Sequence, residues 1–317
     1  MDTTRPCGCK GIRTCLICEE EYGISQKDFA SIKENNNAYV YCPLCNKAWP
    51  GWNVKICEEH PVHSGEPVSF PGIFIQLDFL SVEEEEILMK GIDEMIWDPS
   101  QSGRRKQNFG PKCNFKKKKM RLGDFKGFPA FTEFVQDKFN EVEMLRGYQT
   151  VEQCSLEYNP ARGASIDPHI DDCWFWGERI ITVNLLSDCV LTLTLYSGDI
   201  KRYNLADVST YPAVLDQEGK LMVREKRCFE LDFPSLRDMK DVIVRIPMTR
   251  RSLFVMYGAA RYLWEHCVLR EDVLERRVCL AYREFTPLYL KDGKHENEGK
   301  VILEAAKNFW EHVNSSV

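Results

Sequence analysis

The sequence predicts an α+β fold that is mainly β: a double-stranded β-helix (jelly roll) with supporting helices, preceded by a small cysteine-rich module. Three observations predict it. Short runs of β-branched and aromatic residues, separated by turn residues, fill the second half of the chain. Amphipathic stretches at helical spacing come before them. Half of the 14 cysteines, namely Cys7, Cys9, Cys15, Cys18, Cys42, Cys45 and Cys57, lie in the first fifth.

Residues 1–68 are rich in Cys, Gly, Asn and Pro and end in EEHPVHSGEP, whose turn-forming composition reads as a linker. The apolar run FPGIFIQLDFL then predicts a strand. Ser81 with Glu84 three residues on is a capping-box signature, and Ile87, Leu88, Gly91, Ile92, Met95 and Ile96 continue it at helical spacing. Phe131, Phe134, Val135 and Phe139 predict a second helix over about 129–145. Strands are expected at 179–186, 190–196, 241–247, 252–257 and 277–285, with 198–240 as an insertion between them. Ile302, Leu303, Ala306, Phe309, Trp310 and Val313 predict a closing helix, so the expected units are 1–68, 69–290 and 291–317.

A chain of 317 residues holds one domain of roughly 200–250 residues plus an appendage. Its 44% hydrophobic and 28% charged content is that of a soluble protein, and no membrane association is expected. The start, MDTTRPCGCK, shows neither a secretory nor a mitochondrial pattern, so cytoplasm and nucleus are the expected locations and reduced thiols or metal ligands the expected state of the cysteines. Oligomeric state is not implied.

An ion that activates dioxygen needs three protein ligands on one side and open positions on the other, which two histidines and a carboxylate supply. His169-Ile170-Asp171 offers two of them, since residues i and i+2 of an extended segment point the same way. With 6 His and 48 acidic residues, such a pair often arises by chance. His266, in RYLWEHCV after the expected strand SLFVMY, would alone read as a core histidine beside Trp264. Arg277 opens the apolar strand VCLAY, where a guanidinium can fork onto a dicarboxylate; elsewhere it would be an ordinary exposed charge.

Tyr158, His169-Ile170-Asp171, GAARYLWEH ending at His266, and RVCLAYR from Arg277 to Arg283 together resemble the AlkB-type iron(II)/2-oxoglutarate-dependent dioxygenases. The resemblance implies iron held by His169, Asp171 and His266, with Arg277, Arg283 and Tyr158 contacting 2-oxoglutarate. The chain departs from the family pattern at Leu156, where an Asn is usual, and in a longer interval from Tyr158 to His169. SGRRKQNFGPKCNF resembles the hairpin that closes over substrate in that family, making Arg104, Arg105 and Phe109 candidate lid residues. CGCKGIRTCLICE resembles the subgroup known as the fourth AlkB homologues. The reaction so implied is oxidative demethylation. Hydroxylation of an N-methyl group gives a hemiaminal that collapses to formaldehyde, while 2-oxoglutarate leaves as succinate and carbon dioxide. The implied substrate is a methyl-lysine in a protein such as actin, or N6-methyladenine in DNA.

Cys15-x2-Cys18 and Cys42-x2-Cys45 resemble a zinc ribbon, with Cys7, Cys9, Cys57, His60 and His63 able to complete a second site; a flexible cysteine-rich tail is the alternative. Between Arg104 and Arg121 lie nine basic residues and no acidic one, a stretch suited to phosphate, to an acidic protein surface, or simply to solvent. A net charge of −6 argues against a protein that coats nucleic acid. Asp172, Trp174 and Trp176 are candidates to line the approach to iron, unless the tryptophans pack against the sheet. Two rival readings are a metal-stabilised binding module without catalysis and a cupin-like enzyme that does not use 2-oxoglutarate; the Arg277 and Arg283 pair disfavours the second.

Overall fold

Strands whose alternate residues are both apolar must bury both faces, and Trp176–Leu185, Leu253–Met256 and Arg277–Phe285 do so. Ile180, Phe254, Met256 and Cys279 face an inner core, while Ile181, Val183, Leu185, Val255, Leu280 and Tyr282 face an outer one covered by helices. These strands belong to a seven-stranded sheet in the order Ile73–Gln76, Leu253–Met256, Trp176–Leu185, Arg277–Phe285, Glu152–Tyr158, Arg105–Phe109, Asp98–Pro99. A second seven-stranded sheet runs Ile166–His169, Trp264–Val268, Cys189–Leu195, Ile243–Met248, Ala38–Cys42, Lys47–Pro50, Val68–Ser69. Together they form the expected jelly roll. This computed structural model describes residues 5–25, 29–33, 35–222, 227–229, 239 and 241–311. Much of the expected 198–240 insertion (223–226, 230–238 and 240) and Val313 lie outside the described residues. No helix among the described residues is long and apolar enough to cross a membrane.

The helix Val82–Glu94 starts at the capping box seen in the sequence: Glu84 N donates to Ser81 Oγ at 3.1 Å and Ser81 N to Glu84 Oε2 at 2.7 Å. Such a cap stabilises by about 0.5–2 kcal/mol. Leu88, Met89 and Ile92 pack with Val135 and Phe139 on the outer face of the first sheet. The second helix is shorter than 129–145. It spans Glu133–Phe139 between the 3-10 turns Ala130–Thr132 and Glu143–Leu145, because Phe128–Pro129 pair in parallel with Phe309–Trp310.

The same pairing corrects the expected closing helix, which covers only Glu296–Ala305. Phe309 and Trp310 leave it as a short strand, and Phe128 N donates to Asn308 O at 2.9 Å. Gly127, at φ +111°, permits this crossing; a Cβ there would lie 2.0 Å from Asn308 O.

The cysteine-rich segment is joined to the roll. Ala38–Cys42 pairs in parallel with Ile243–Met248, Ala38 opposite Ile243, and so extends a jelly-roll sheet. Further back, Arg270 forks onto Glu19 at 2.7 and 2.9 Å. Contacts from both ends of the segment thus cross the boundary expected at 68.

Candidate active site

An even spacing along a strand keeps side chains on one face, so Arg277 and Arg283 both point from Arg277–Phe285 into the roll. The antiparallel neighbour repeats this spacing: Tyr158 lies opposite Arg277 and Glu152 opposite Arg283. The guanidinium of Arg277 sits over the Tyr158 ring, 5.0 Å from its centroid. Arg277 Nε donates to Asn184 Oδ1 at 2.6 Å, while its Nη1 is buried with no partner. A buried cation with an unused donor fits an anionic ligand.

The two histidines meet across a different strand pair. His169 is opposite His266 in the pairing of Ile166–His169 with Trp264–Val268, and their ring centroids are 4.3 Å apart. His169 Nδ1 lies 2.8 Å from Asp167 O, which fixes Nδ1 as donor and leaves Nε2 for a ligand. Burial pushes both imidazoles below the ordinary histidine range, so both are neutral and fit to bind a metal at neutral pH.

Asp171 completes the group. Burial would raise its carboxyl, but the positive charges gathered around it, that of Arg283 the largest, together outweigh burial and hold it well below the carboxylate range. Arg283 Nη2 and Nε reach its two oxygens at 3.2 and 3.3 Å, and Arg283 Nη1 reaches Glu152 at 2.6 Å. Arg283 thus bridges two carboxylates and orients Asp171. Two half-buried imidazoles in contact, with a deprotonated carboxylate two residues from one of them, are the donor types that a divalent iron takes.

Arg261, which the sequence reading missed, secures the loop behind Asp171. It is completely buried and donates to the carbonyls of Asp171 at 2.8 Å, Trp176 at 3.2 Å and Gly177 at 3.3 Å. Asn184 and Glu152 were also missed, because each lies within a run read for its apolar residues or not read as a strand at all. A side-chain amide does stand against Arg277, but it comes from Asn184 and not from position 156. Asp172 turns away from the histidines, accepting from Trp174 N and Asn204 Nδ2 at 2.9 Å each. Trp174 is core, packed against Phe175 and Tyr289, whereas Trp176 faces Arg283.

Of the candidate lid residues, Arg104 reaches the Tyr158 ring at 5.8 Å, but Arg105 forks onto Glu157 at 2.6 and 2.7 Å and Phe109 meets Trp310 at 6.0 Å. Arg105–Phe109 is bound into the sheet by its ladder to Glu152–Tyr158, so it is wall and not lid. What overlies the site is the hairpin of Lys112–Asn114 and Lys119–Arg121, whose turn residue Phe115 sits 6.2 Å from Trp176. Two clefts of about 770 and 790 Å³ lie around Gly72 and Tyr257, and neither is lined by His169 or His266.

The cysteines group differently from the expected set of Cys15, Cys18, Cys42 and Cys45. Cys7, Cys9, Cys15 and Cys18 form one cluster and Cys42, Cys45, His60 and His63 another, the ligand atoms of each within 4.8 Å of one another. The reason is the strand Ala38–Cys42, which carries the second C-x2-C pair onto the sheet and away from the first. Cys57 belongs to neither; its thiol donates to Tyr41 O at 3.1 Å. In the first cluster Cys18 lies 3.3 Å from Cys7 and 3.7 Å from Cys15, close to the roughly 3.8 Å edge of a tetrahedral thiolate site with metal–sulfur bonds of ~2.3 Å. Ser102 N donates to Cys9 Sγ at 3.3 Å and Ser165 N to Ser102 O at 3.0 Å, linking this cluster to the strand that ends in His169.

No protein-family model matches the chain. Alpha-ketoglutarate-dependent dioxygenase alkB homolog 4 of Homo sapiens is 37% identical to it over 308 residues, 97% of this chain and 95% of that protein. Its counterpart in Mus musculus is 36% identical over 304 residues, 96% and 94% of the two chains. The DNA N6-methyl adenine demethylase of Caenorhabditis elegans is 30% identical over 312 residues, 94% and 93% of the two chains.

Proposed function

This chain belongs to the AlkB-type 2-oxoglutarate-dependent dioxygenases, and from that premise we propose that it removes N-methyl groups oxidatively, its substrate a methyl-lysine in a protein such as actin. The observation that carries the reading is Arg277, buried over Tyr158 with Nη1 unused, in one sheet of the roll while two neutral histidines face each other in the other sheet. Arg277 would bind the far carboxylate of 2-oxoglutarate. His169, Asp171 and His266 would hold iron(II), which when bound supplies the activation of dioxygen. The protein's own work is positional: Arg283 and Arg261 fix the Asp171 segment, and Trp176 with the overlying hairpin narrows the mouth. Zinc is the ion we assign to the cluster of Cys7, Cys9, Cys15 and Cys18.

Charge favours a protein substrate over a nucleic-acid track. Within the basic run, Arg105 is paired with Glu157, Lys112 with Asp124 and Lys118 with Asp207, so part of its charge is already answered inside the chain. The second reading, N6-methyladenine in DNA, draws on the relative from Caenorhabditis elegans. The deciding experiment supplies the full chain with iron(II), 2-oxoglutarate and either a methyl-lysine actin peptide or a methylated oligonucleotide, and follows succinate and formaldehyde. Formaldehyde released with the peptide supports the proposal. Formaldehyde from the oligonucleotide alone replaces it with the second reading.

A further inference from the structure

Two short sequence pairs, Cys42-Pro43-Leu44-Cys45 and His60-Pro61-Val62-His63, lie on either side of the strand Lys47–Pro50 and the 3-10 helix Val54–Glu59. Folding of that loop brings all four side chains together. Cys42 Sγ lies 3.9 Å from His60 Nδ1 and Cys45 Sγ 3.9 Å from His63 Nε2. A tetrahedral ion with Zn–S bonds of ~2.3 Å and Zn–N bonds of ~2.0 Å separates sulfur from nitrogen by roughly 3.5 Å. The four atoms therefore need only a small contraction to share one ion.

The surroundings are those of a ligand shell and not of a chance cluster. Trp49 Nε1 donates to Cys45 Sγ at 3.3 Å, the kind of outer contact that orients a thiolate, and the Trp49 ring stacks on His63 at 4.6 Å. The remaining nitrogen of the His63 ring, Nδ1, is buried without a partner. Asn46, in the left-handed region at φ +56°, turns the chain tightly after Cys45, and its amide donates to Cys42 O at 2.9 Å. We propose that Cys42, Cys45, His60 and His63 form a structural zinc site, separate from the four-cysteine cluster and from the iron site. Four protein ligands leave no open position, so the site does no chemistry. It fastens residues 54–63 to the sheet at Cys42, the last residue of the strand that pairs with Ile243–Met248. Trp52, in the same loop, covers Arg245 of that neighbouring strand at 3.9 Å.

The test is zinc analysis of the full chain purified without chelators. The unmutated protein is expected to hold about two zinc ions, one per cluster. Cys42→Ser and His63→Ala should each lose about one, and Cys57→Ser none. Zinc that strays into the histidines of the iron site is common to all these proteins and cancels in the difference. Because a missing ligand can also loosen the fold, cobalt(II) replacement in Cys15→Ser protein gives an independent reading: this variant keeps the second cluster intact and should show thiolate-to-cobalt absorption that His63→Cys, added to it, strengthens. Full zinc retention in Cys42→Ser and His63→Ala, or no thiolate-to-cobalt absorption in Cys15→Ser protein, overturns the proposal. Neither result would touch the demethylase reading, which does not depend on this site.

Discussion

Arg277 donates from Nε to the side-chain oxygen of Asn184 at 2.6 Å, and that single bond points its unused Nη1 into the roll. Charge-assisted hydrogen bonds of this kind contribute about 1.5–3 kcal/mol each. Arg277→Lys keeps the charge but loses the fork, so the 2-oxoglutarate concentration for half-maximal succinate release should rise about 10- to 100-fold. Asn184→Ala should move it in the same direction by less. An unchanged requirement in Arg277→Lys would assign the co-substrate to another residue.

His169→Ala and Asp171→Ala should abolish 2-oxoglutarate turnover and iron retention while leaving the far-ultraviolet circular dichroism of the chain unaltered, since a triad lacking one member no longer holds the ion in an activating geometry. Succinate production at the unmutated rate by either variant would remove these residues from the iron site.

Arg261 acts through Asp171. Arg261→Met strips three buried carbonyls of their donor, which should lower stability by about 3 kcal/mol. It should also raise the iron concentration needed for activity while leaving the 2-oxoglutarate requirement at saturating iron unchanged. Were the two requirements to rise together, Arg261 would be a general support of the fold and not a positioning residue.

Glu157 gives a pH dependence whose sign can be worked out. Burial would raise its carboxyl, but Arg105, Arg276 and Arg162 gather around it and hold it at about 2. An unfolded glutamate titrates near 4.3. The stabilisation is thus complete above about pH 4.5 and is lost as pH falls towards 2, where the unfolded chain binds the extra proton first. Two pKa units correspond to about 3 kcal/mol, a ceiling here because the three arginines are partly exposed. Glu157→Gln should flatten the acid limb of urea stability measured between about pH 4.5 and 2. A limb as steep as that of the unmutated chain would show that the carboxylate does not carry this dependence.

The features legible in the sequence were those written in short spacings. Ser81 and Glu84 capped their helix as read, and Arg277 and Arg283 shared the inner face because six residues along a strand is an even number. His169 and His266 met because a jelly roll sets their strands side by side. What stayed hidden depended on partners far off in sequence. EQCSLEY lines the site with Glu152 and Tyr158, so its polar residues disguised a buried strand. Asn184 and Arg261 are buried polar groups amid apolar ones, recognisable only once their acceptors are in place. The C-x2-C spacings marked two thiolate pairs, but only the fold could say that they go to different clusters.

The parallel pairing of Ala38–Cys42 with Ile243–Met248 also sets an order of events during synthesis. Ala38 emerges about 205 residues before its partner Ile243, an interval of roughly 10–40 s at translation rates of about 5–20 residues per second. Through that time Ala38–Cys42 can pair only with its hairpin partner Lys47–Pro50. The strand Ala38–Cys42 is therefore joined to the roll late, although the histidines beside Cys42 and Cys45 lie only 18 residues further along and are made early.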